Sequence, residues 1–165
     1  MNRIKQFFLS LFSEMKDEDD NFINTYLDEF EKNIFLKLKK SEQKHSVRVA
    51  KLVILISREK KEYNEIKLDR IIKAALLHDI GKSLKRINVI QKVFMVLVNK
   101  RFGESIRKMD RFEFIDSYYN HGDIGYNMLK DHIKDDKILF LIKNHHSRIN
   151  GDVELDLLRY CDDKN

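Results

Sequence analysis

Apolar side chains recur every three or four residues along most of this chain, which is the spacing of one face of an α-helix. The pattern predicts helices over residues 4–11, 20–38, 41–56, 68–78, 112–129, 136–146 and 152–162. Ser41 is a suitable N-cap for the third of these helices, and Gly81 lies where the fourth should stop. Residues 84–109 are predicted to form one or two helices, with a strand over the β-branched run 93–98 as the alternative.

The composition agrees with an all-α fold in a single domain. The chain has 165 residues, no Pro and only 5 Gly, whereas a sandwich or barrel of short strands needs many turn residues. A chain of this length typically forms one domain and buries about two thirds of its unfolded surface. The sequence contains no internal repeat and no low-complexity linker. We therefore expect one compact helical domain.

The sequence carries no signature of export or of a membrane span. The apolar run 7–12 lacks a small-residue cleavage site and runs into acidic residues. It is predicted to be a helix that packs on its own domain, with a membrane-surface or partner contact as the alternative. The run 93–98 is far shorter than the ~20 residues that span a bilayer. The single cysteine, Cys161, cannot form an internal disulfide, so we expect a reduced, cytoplasmic protein without membrane insertion.

The charge of the chain is unevenly distributed. The whole chain has 32 basic and 27 acidic residues, for a formal net charge of +5. Residues 82–111, called the basic segment below, contain nine Lys or Arg and two acidic residues. Such a block indicates either an anionic partner or a solvated helix face. Nucleic-acid binding is disfavoured, because the chain has no helix-turn-helix signature, no RNA-stacking motif and only a slight positive charge.

Histidines stand out among the polar residues of the predicted apolar faces. Five of the six lie on such faces, in four different helices: His45, His78, His121, His145 and His146. A single such histidine is usually a hydrogen-bonded core residue, but each buried imidazole needs a polar partner. One shared cation would satisfy all of them, so we interpret the set as a metal site. The sixth, His132, lies in a charged stretch and is predicted at the surface.

Three short motifs add context to these histidines. The segment His78-Asp79-Ile80-Gly81-Lys82 ends a small-residue helix, His45 lies upstream within His-Ser-Val-Arg-Val-Ala, and Asp162 lies near the end of the chain. This order of a His, a later His-Asp doublet and a distant Asp resembles the HD superfamily of metal-dependent phosphohydrolases, in its HDIG-type form. The resemblance extends from His45 to Asp162. It implies an HD-domain bundle over residues 41–165, with residues 1–40 as an N-terminal helical extension packed on it.

The resemblance also implies a ligand set. His45, His78, Asp79 and Asp162 correspond to the first metal site of the family. His121 and His145, with His146 as a further candidate, correspond to the extra ligands of two-metal members, in which the aspartate of the doublet bridges the ions. Mixed imidazole and carboxylate ligation independently suits Mn²⁺ or Fe, with Mg²⁺, Ni²⁺ and Zn²⁺ as alternatives, for one or two ions.

The resemblance implies that the protein hydrolyses a phosphate monoester or diester with a metal-activated hydroxide. A nucleotide is the expected substrate. Asp79 and Lys82 are the predicted catalytic residues. Lys82 and Arg48, one helical turn beyond His45, are the predicted contacts of a small phosphorylated substrate. The alternative is a non-catalytic sensor or interaction module that keeps the site as a receptor for metal or nucleotide.

Departures of this chain from the motifs of particular family branches reduce the number of candidate substrates. The branch acting on cyclic dinucleotides carries Gly-Tyr-Pro after its His pair, and this chain has no Pro. The branch acting on guanosine tetraphosphate carries Glu-Asp shortly after its doublet, where this chain has Leu84 and Lys85. Hydrolases of symmetrical dinucleoside tetraphosphates share the motifs at His45 and His78, but a threonine follows their last histidine where this chain has His146. The first two substrates are therefore disfavoured.

Overall fold

The computed structural model describes residues 14–84 and 113–165, with side chains in the second range from residue 120 onward. These residues form seven α-helices and two short 3-10 helices, without a strand, so the predicted all-α fold is confirmed for this part of the chain. The α-helices are α1 (Asp17–Tyr26), α2 (Glu29–Phe35), α3 (Lys40–Glu59), α4 (Leu68–Leu77), α5 (Glu113–Leu129), α6 (Asp136–Asn144) and α7 (Val153–Lys164). The 3-10 helices are Lys61–Tyr63 and Ile80–Ser83.

The apolar pattern over residues 20–38 becomes two helices rather than one. Leu27 takes an extended conformation, and Asp28 starts a new helix as its N-cap. The Asp28 carboxylate accepts a hydrogen bond from the backbone N–H of Glu31 at 2.9 Å, and Glu31 accepts one from the N–H of Asp28 at 2.9 Å. This reciprocal capping box satisfies two backbone donors that a continuous helix would satisfy internally. Local capping therefore overrides the continuous periodicity.

Two further helix ends differ slightly from the predictions. Helix α3 begins at Lys40 with Lys39 in the N-cap position, so Ser41 lies inside the first turn. Helix α6 ends at Asn144, and His145 occupies the C-cap position. The predicted helix 4–11, the segment 84–109 with its run 93–98, and the basic segment beyond Leu84 lie outside the described residues. Within the part that is described, no helix is both long enough and apolar enough to span a bilayer.

The core is built around α4. Its residues from Ile71 to Leu77 are buried with the exception of Lys73, because α3 covers one side of the helix and α6 another. Beyond α4, the 3-10 helix Ile80–Ser83 packs against α5. Apolar residues of α1 and α2, including Ile23 and Phe35, belong to the same core cluster as those of α3 and α4. The carboxyl-terminal end of α4 is therefore held on several sides.

Ion pairs attach the first two helices to this core. The buried carboxylate of Asp19, in α1, contacts Lys44 at 2.5 Å and Lys51 at 2.8 Å, both in α3. Burial raises the pKa of Asp19, but the hydrogen bonds from these two lysines outweigh it and lower that pKa to about 2. In the same way, Glu31 of α2 accepts hydrogen bonds from Lys73 of α4 at 2.7 and 2.8 Å.

We predict that Asp19→Asn destabilises the protein by about 1–2 kcal/mol at pH 7. Because the pKa of Asp19 is lower in the folded chain than in the unfolded chain, its contribution is complete above about pH 4 and is lost as the pH falls toward 2. Urea unfolding of both proteins at pH 7 and at pH 3 measures the difference. Asp20→Asn, at the exposed neighbouring position, is the control and should cost little at either pH. An equal cost of Asp19→Asn at the two pH values would contradict the assignment.

Candidate metal centre

Five helices contribute residues to one cluster of imidazoles and carboxylates. His45 lies in α3, His121 in α5 and Asp162 in the last turn of α7. The doublet His78-Asp79 follows α4, and the pair His145-His146 follows α6. The structure therefore brings together all seven residues that the sequence nominated as metal ligands.

The first group of ligand atoms lies between α3, α4 and α7. The His45 Nε2 atom is 2.9 Å from Asp162 Oδ1. The His78 Nε2 atom is 3.6 Å from the same oxygen and 3.5 Å from Asp79 Oδ2. Ligand atoms of His45, His78 and Asp79 all lie within 4.8 Å of one another, so these side chains could hold a single ion.

The second group lies between α5 and the end of α6, and it shares Asp79 with the first. The Nε2 atoms of His121 and His145 are 3.0 Å apart. Asp79 Oδ1 is 3.3 Å from His121 Nε2 and 3.9 Å from His145 Nε2. The exposed ring of His146 packs against that of His145, with centroids 4.1 Å apart. These four residues also offer ligand atoms within 4.8 Å of one another.

Backbone carbonyls orient two of the histidine rings. His78 Nδ1 donates to the carbonyl of Ala75 at 2.8 Å, and His145 Nδ1 donates to the carbonyl of Ile142 at 2.6 Å. Each bond turns the Nε2 atom toward the cluster, which is how metal-binding histidines are commonly oriented. In each case the ring uses a carbonyl of the preceding helical turn. These carbonyls lie in the last turns of α4 and α6, where backbone carbonyls lack intrahelical partners, so each ring bond also caps a helix end.

Two buried polar atoms in the cluster have no hydrogen-bond partner. They are His78 Nε2 and Asp79 Oδ1, which belong to side chains that are at most 2% exposed. Buried polar atoms without partners are costly and are rare in folded proteins. A cation among these side chains would satisfy both. The residues present therefore fit a divalent metal ion in position and in chemistry.

The two buried carboxylates of the cluster require positive charge beside them. Burial raises the pKa of Asp79, but Lys82 and then His78 outweigh it and hold that pKa well below its usual range. Burial likewise raises the pKa of Asp162, but the His45 hydrogen bond and the nearby His78 ring outweigh it and hold that pKa well below its usual range. Burial lowers the pKa of His78, yet the charges of Asp79 and Asp162 raise it to about 9. A proton on His78 thus supplies part of the positive charge that a bound metal ion would supply.

His145 differs from His78 because no carboxylate dominates its surroundings. Burial, followed by the neighbouring His146, holds the pKa of His145 well below its usual value. Its imidazole is therefore neutral, which is the form that binds a metal ion.

The comparison with protein families decides the relationship of this chain. A model of the HD domain matches residues 43–163, which is most of the chain. The chain belongs to the HD-domain family. Comparison with curated proteins and comparison with solved structures each returned no match. Proteins with HD domains bind divalent metals and are generally metal-dependent phosphohydrolases, and the clustered histidines and aspartates agree with that membership.

A close backbone contact brings the second group of the HD domain against the first. A Cβ atom on Gly81 would lie 2.0 Å from the carbonyl oxygen of His121 and 2.9 Å from the backbone nitrogen of Gly125. Only a glycine at position 81 allows α5 to approach this closely, and the approach places His121 beside Asp79. The sequence suggested Gly81 only as a helix stop, so its role in the site was missed.

The two predicted substrate contacts occupy different positions. Lys82 is half-buried, and its Nζ atom is 2.6 Å from Asp79 Oδ2, so it lies within the cluster. Arg48 lies one turn beyond His45 on α3, and burial lowers the pKa of its guanidinium. The assignment of either residue to phosphate binding stays a prediction.

The sixth histidine lies outside the cluster, as predicted. His132 is exposed, contacts Asp28 Oδ2 at 2.7 Å and stacks on Phe30 with ring centroids 4.2 Å apart. Asp28, Glu31 and His132 are also close enough to hold an ion. Glu31 is already paired with Lys73, however, and Asp28 caps α2, so these groups satisfy one another.

We predict that Gly81→Ala separates the two groups. The added methyl would clash with the α5 backbone, and overpacking of this kind costs about 1–3 kcal/mol or more. Because His121 must move with α5, the affinity for Mn²⁺ should also fall by about 10-fold or more. Unfolding experiments and isothermal titration calorimetry measure the two effects.

Gly125→Ala is the matched control for this substitution. A Cβ atom there would meet side-chain atoms of Ile142 and Ile80 at 3.2 and 3.3 Å, which can shift slightly. It would also lie 3.5 Å from the backbone nitrogen of Gly81, which is an ordinary van der Waals contact. We expect Gly125→Ala to leave the affinity for Mn²⁺ nearly unchanged. Equal metal affinity of the Gly81→Ala variant and the unaltered protein would show that the contact does not position His121.

Proposed function

We propose that this protein is a divalent-metal-dependent phosphohydrolase that cleaves a phosphate monoester or diester of a nucleotide. The observation that carries the proposal is the convergence of seven ligand side chains around two buried polar atoms that lack partners, His78 Nε2 and Asp79 Oδ1. A structural zinc site would typically recruit thiolates, and the one cysteine is a buried free thiol next to Asp162. The mixed donor set favours Mn²⁺ or Fe instead.

The residues that would hold the metal are those of the two groups. His45, His78 and Asp162 belong to the first group, His121, His145 and His146 belong to the second, and Asp79 is common to both. When bound, a divalent cation would lower the pKa of a water molecule and polarise a phosphoryl oxygen.

The remaining contributions come from the chain itself. Hydrolysis adds water across the ester: its oxygen bonds to phosphorus, the ester P–O bond breaks, and the leaving oxygen takes up a proton. Asp79 stays ionised, because Lys82 and His78 lower its pKa, and it anchors both groups of ligands. The Lys82 side chain is 21% exposed, so its ammonium can exchange Asp79 for a phosphate oxygen of the substrate. Arg48 would contribute a second positive charge from the neighbouring turn of α3.

The proposed function also favours a cytoplasmic location. A free, fully buried thiol at Cys161 and a nucleotide substrate agree with a reducing cytoplasm. A non-catalytic receptor for metal or nucleotide would keep the same ligands, so turnover has to be measured directly.

We expect the purified protein to bind Mn²⁺ and to hydrolyse members of a panel of nucleotides or an aryl phosphate. Asp79→Asn should reduce turnover by at least about 100-fold, because it removes the carboxylate common to both groups. Metal analysis by mass spectrometry and phosphate release measure binding and turnover. His132→Gln removes a histidine outside the cluster and should change neither quantity. Nucleotide binding without turnover on any phosphoester would support the receptor instead, and absence of metal binding would overturn the proposed hydrolase.

A second substitution tests the role of Lys82. Lys82→Met should raise KM for the phosphorylated substrate by about 10-fold, because a positive charge next to the phosphate is lost. The same change should not weaken Mn²⁺ binding, since the ammonium competes with a cation for Asp79 Oδ2. Steady-state kinetics and calorimetry separate the two effects. A loss of Mn²⁺ affinity with unchanged KM would show that Lys82 only supports Asp79.

A further inference from the structure

The loop between the last two described helices joins residues of both ligand groups. His145 and His146 lie at its start, and Asp162 lies on α7 after its end. Residues 148–151 of the loop are exposed, and Gly151 takes a positive φ of 85°. His145 itself is buried at the end of α6, but the exposed residues 148–151 do not by their own packing fix the pair relative to α7. A direct contact between the loop and α7 therefore matters for their relative position.

One side chain of α7 binds this loop directly. Arg159 Nη1 donates to the carbonyl of Ser147 at 2.6 Å, and Nη2 donates to the carbonyl of Ile149. Nη2 also donates to Asp156, which lies one turn earlier on the same helix and holds the guanidinium in place. The Arg159 side chain is only 19% exposed. Three hydrogen bonds therefore hold one planar group between the loop and α7.

The position of Arg159 connects these bonds to the metal centre. Arg159 precedes Asp162 by three residues, so the two side chains lie on the same face of α7. Ser147, whose carbonyl accepts one of the two loop bonds, follows His146 directly. The guanidinium thus joins the backbone next to one candidate ligand to the helical turn that carries another.

We propose that Arg159 is a positioning residue that sets the distance between the His145-His146 pair and Asp162. The inference rests on the proposed metal function, and it assigns Arg159 no contact with metal or substrate. Removing its hydrogen bonds would release the loop from α7, so that the histidine pair and Asp162 would no longer keep a fixed separation. Residues that orient metal ligands typically change metal affinity by about 10–100-fold when they are replaced.

The fork of the guanidinium is essential to this role. Two carbonyls two residues apart are reached by two different nitrogens of one rigid plane. A lysine would keep the positive charge, but its single ammonium lacks the fixed fork. Arg159→Lys should therefore hold the loop against α7 only in part, and Arg159→Met should not hold it at all.

The experiment compares Mn²⁺ binding by the unaltered chain and by Arg159→Met, Arg159→Lys and Lys137→Met, each as purified full-length protein freed of metal. Lys137 is the matched control because it pairs with Asp152, the N-cap of α7, at the opposite end of the same loop. Calorimetry gives affinity and stoichiometry, and thermal unfolding of the metal-free proteins gives stability. Each variant is thus assessed for binding and for folding separately.

We expect Arg159→Met to weaken Mn²⁺ binding by about 10-fold or more. The affinity of Arg159→Lys should lie between those of Arg159→Met and the unaltered chain. Lys137→Met should lose stability but bind Mn²⁺ within about 3-fold of the unaltered chain. Equal Mn²⁺ affinity of Arg159→Met and the unaltered chain would overturn this inference but leave the proposed function standing. So would equal losses for Arg159→Met and Lys137→Met, which would indicate a merely structural role. If Arg159→Met does not fold, Arg159→Lys is judged by the same criterion. No Mn²⁺ binding by the unaltered chain would overturn the proposed function itself.

Discussion

Two ionised carboxylates in a nearly dry cluster are the constraint on which the rest of the structure depends. Asp79 is buried, Asp162 is largely buried, and both are held in the charged form by neighbouring positive or polar groups. A buried negative charge is tolerated only with a counter-charge and hydrogen bonds. Lys82 and a protonated His78 supply that counter-charge from within the chain. The same arrangement makes the cluster a receptor for a cation.

The helical scaffold positions this cluster with little freedom. The hydrogen bonds from the rings of His78 and His145 to carbonyls of the preceding turn orient two candidate ligands at the ends of α4 and α6. The contact of Gly81 with the α5 backbone then places His121 beside Asp79. The position of these residues therefore depends on the packing of the core around α4.

Much of the candidate site could be predicted from the sequence, for a physical reason. An imidazole on an apolar helical face has to find a polar partner, and five such residues in a small chain indicate a shared one. The helices themselves followed from apolar periodicity, as for α4 and α7. The break at Asp28 was not predicted, because an acidic residue within an amphipathic pattern is equally compatible with a continuous helix.

Other features could not be predicted because they depend on tertiary contacts. Gly81 had the signal of a helix stop, and only the approach of α5 shows that a side chain is excluded there. Arg159 had no signal at all, since a basic residue on a helix that also exposes polar side chains is ordinary. Its two carbonyl partners belong to the loop between α6 and α7, so they come within its reach only in the folded chain.

The ends of three helices at the cluster have one more consequence. Helices α4 and α6 stop at His78 and His145, and Asp162 lies in the last turn of α7, so three carboxyl-terminal ends face the same place. The aligned peptide dipoles of a helix give that end a partial negative charge, equivalent to about half an elementary charge. The backbone alone thus attracts cations to the cluster and repels anions from it. These three helix ends would therefore add to the affinity of the cluster for a divalent cation, beyond what its side chains supply.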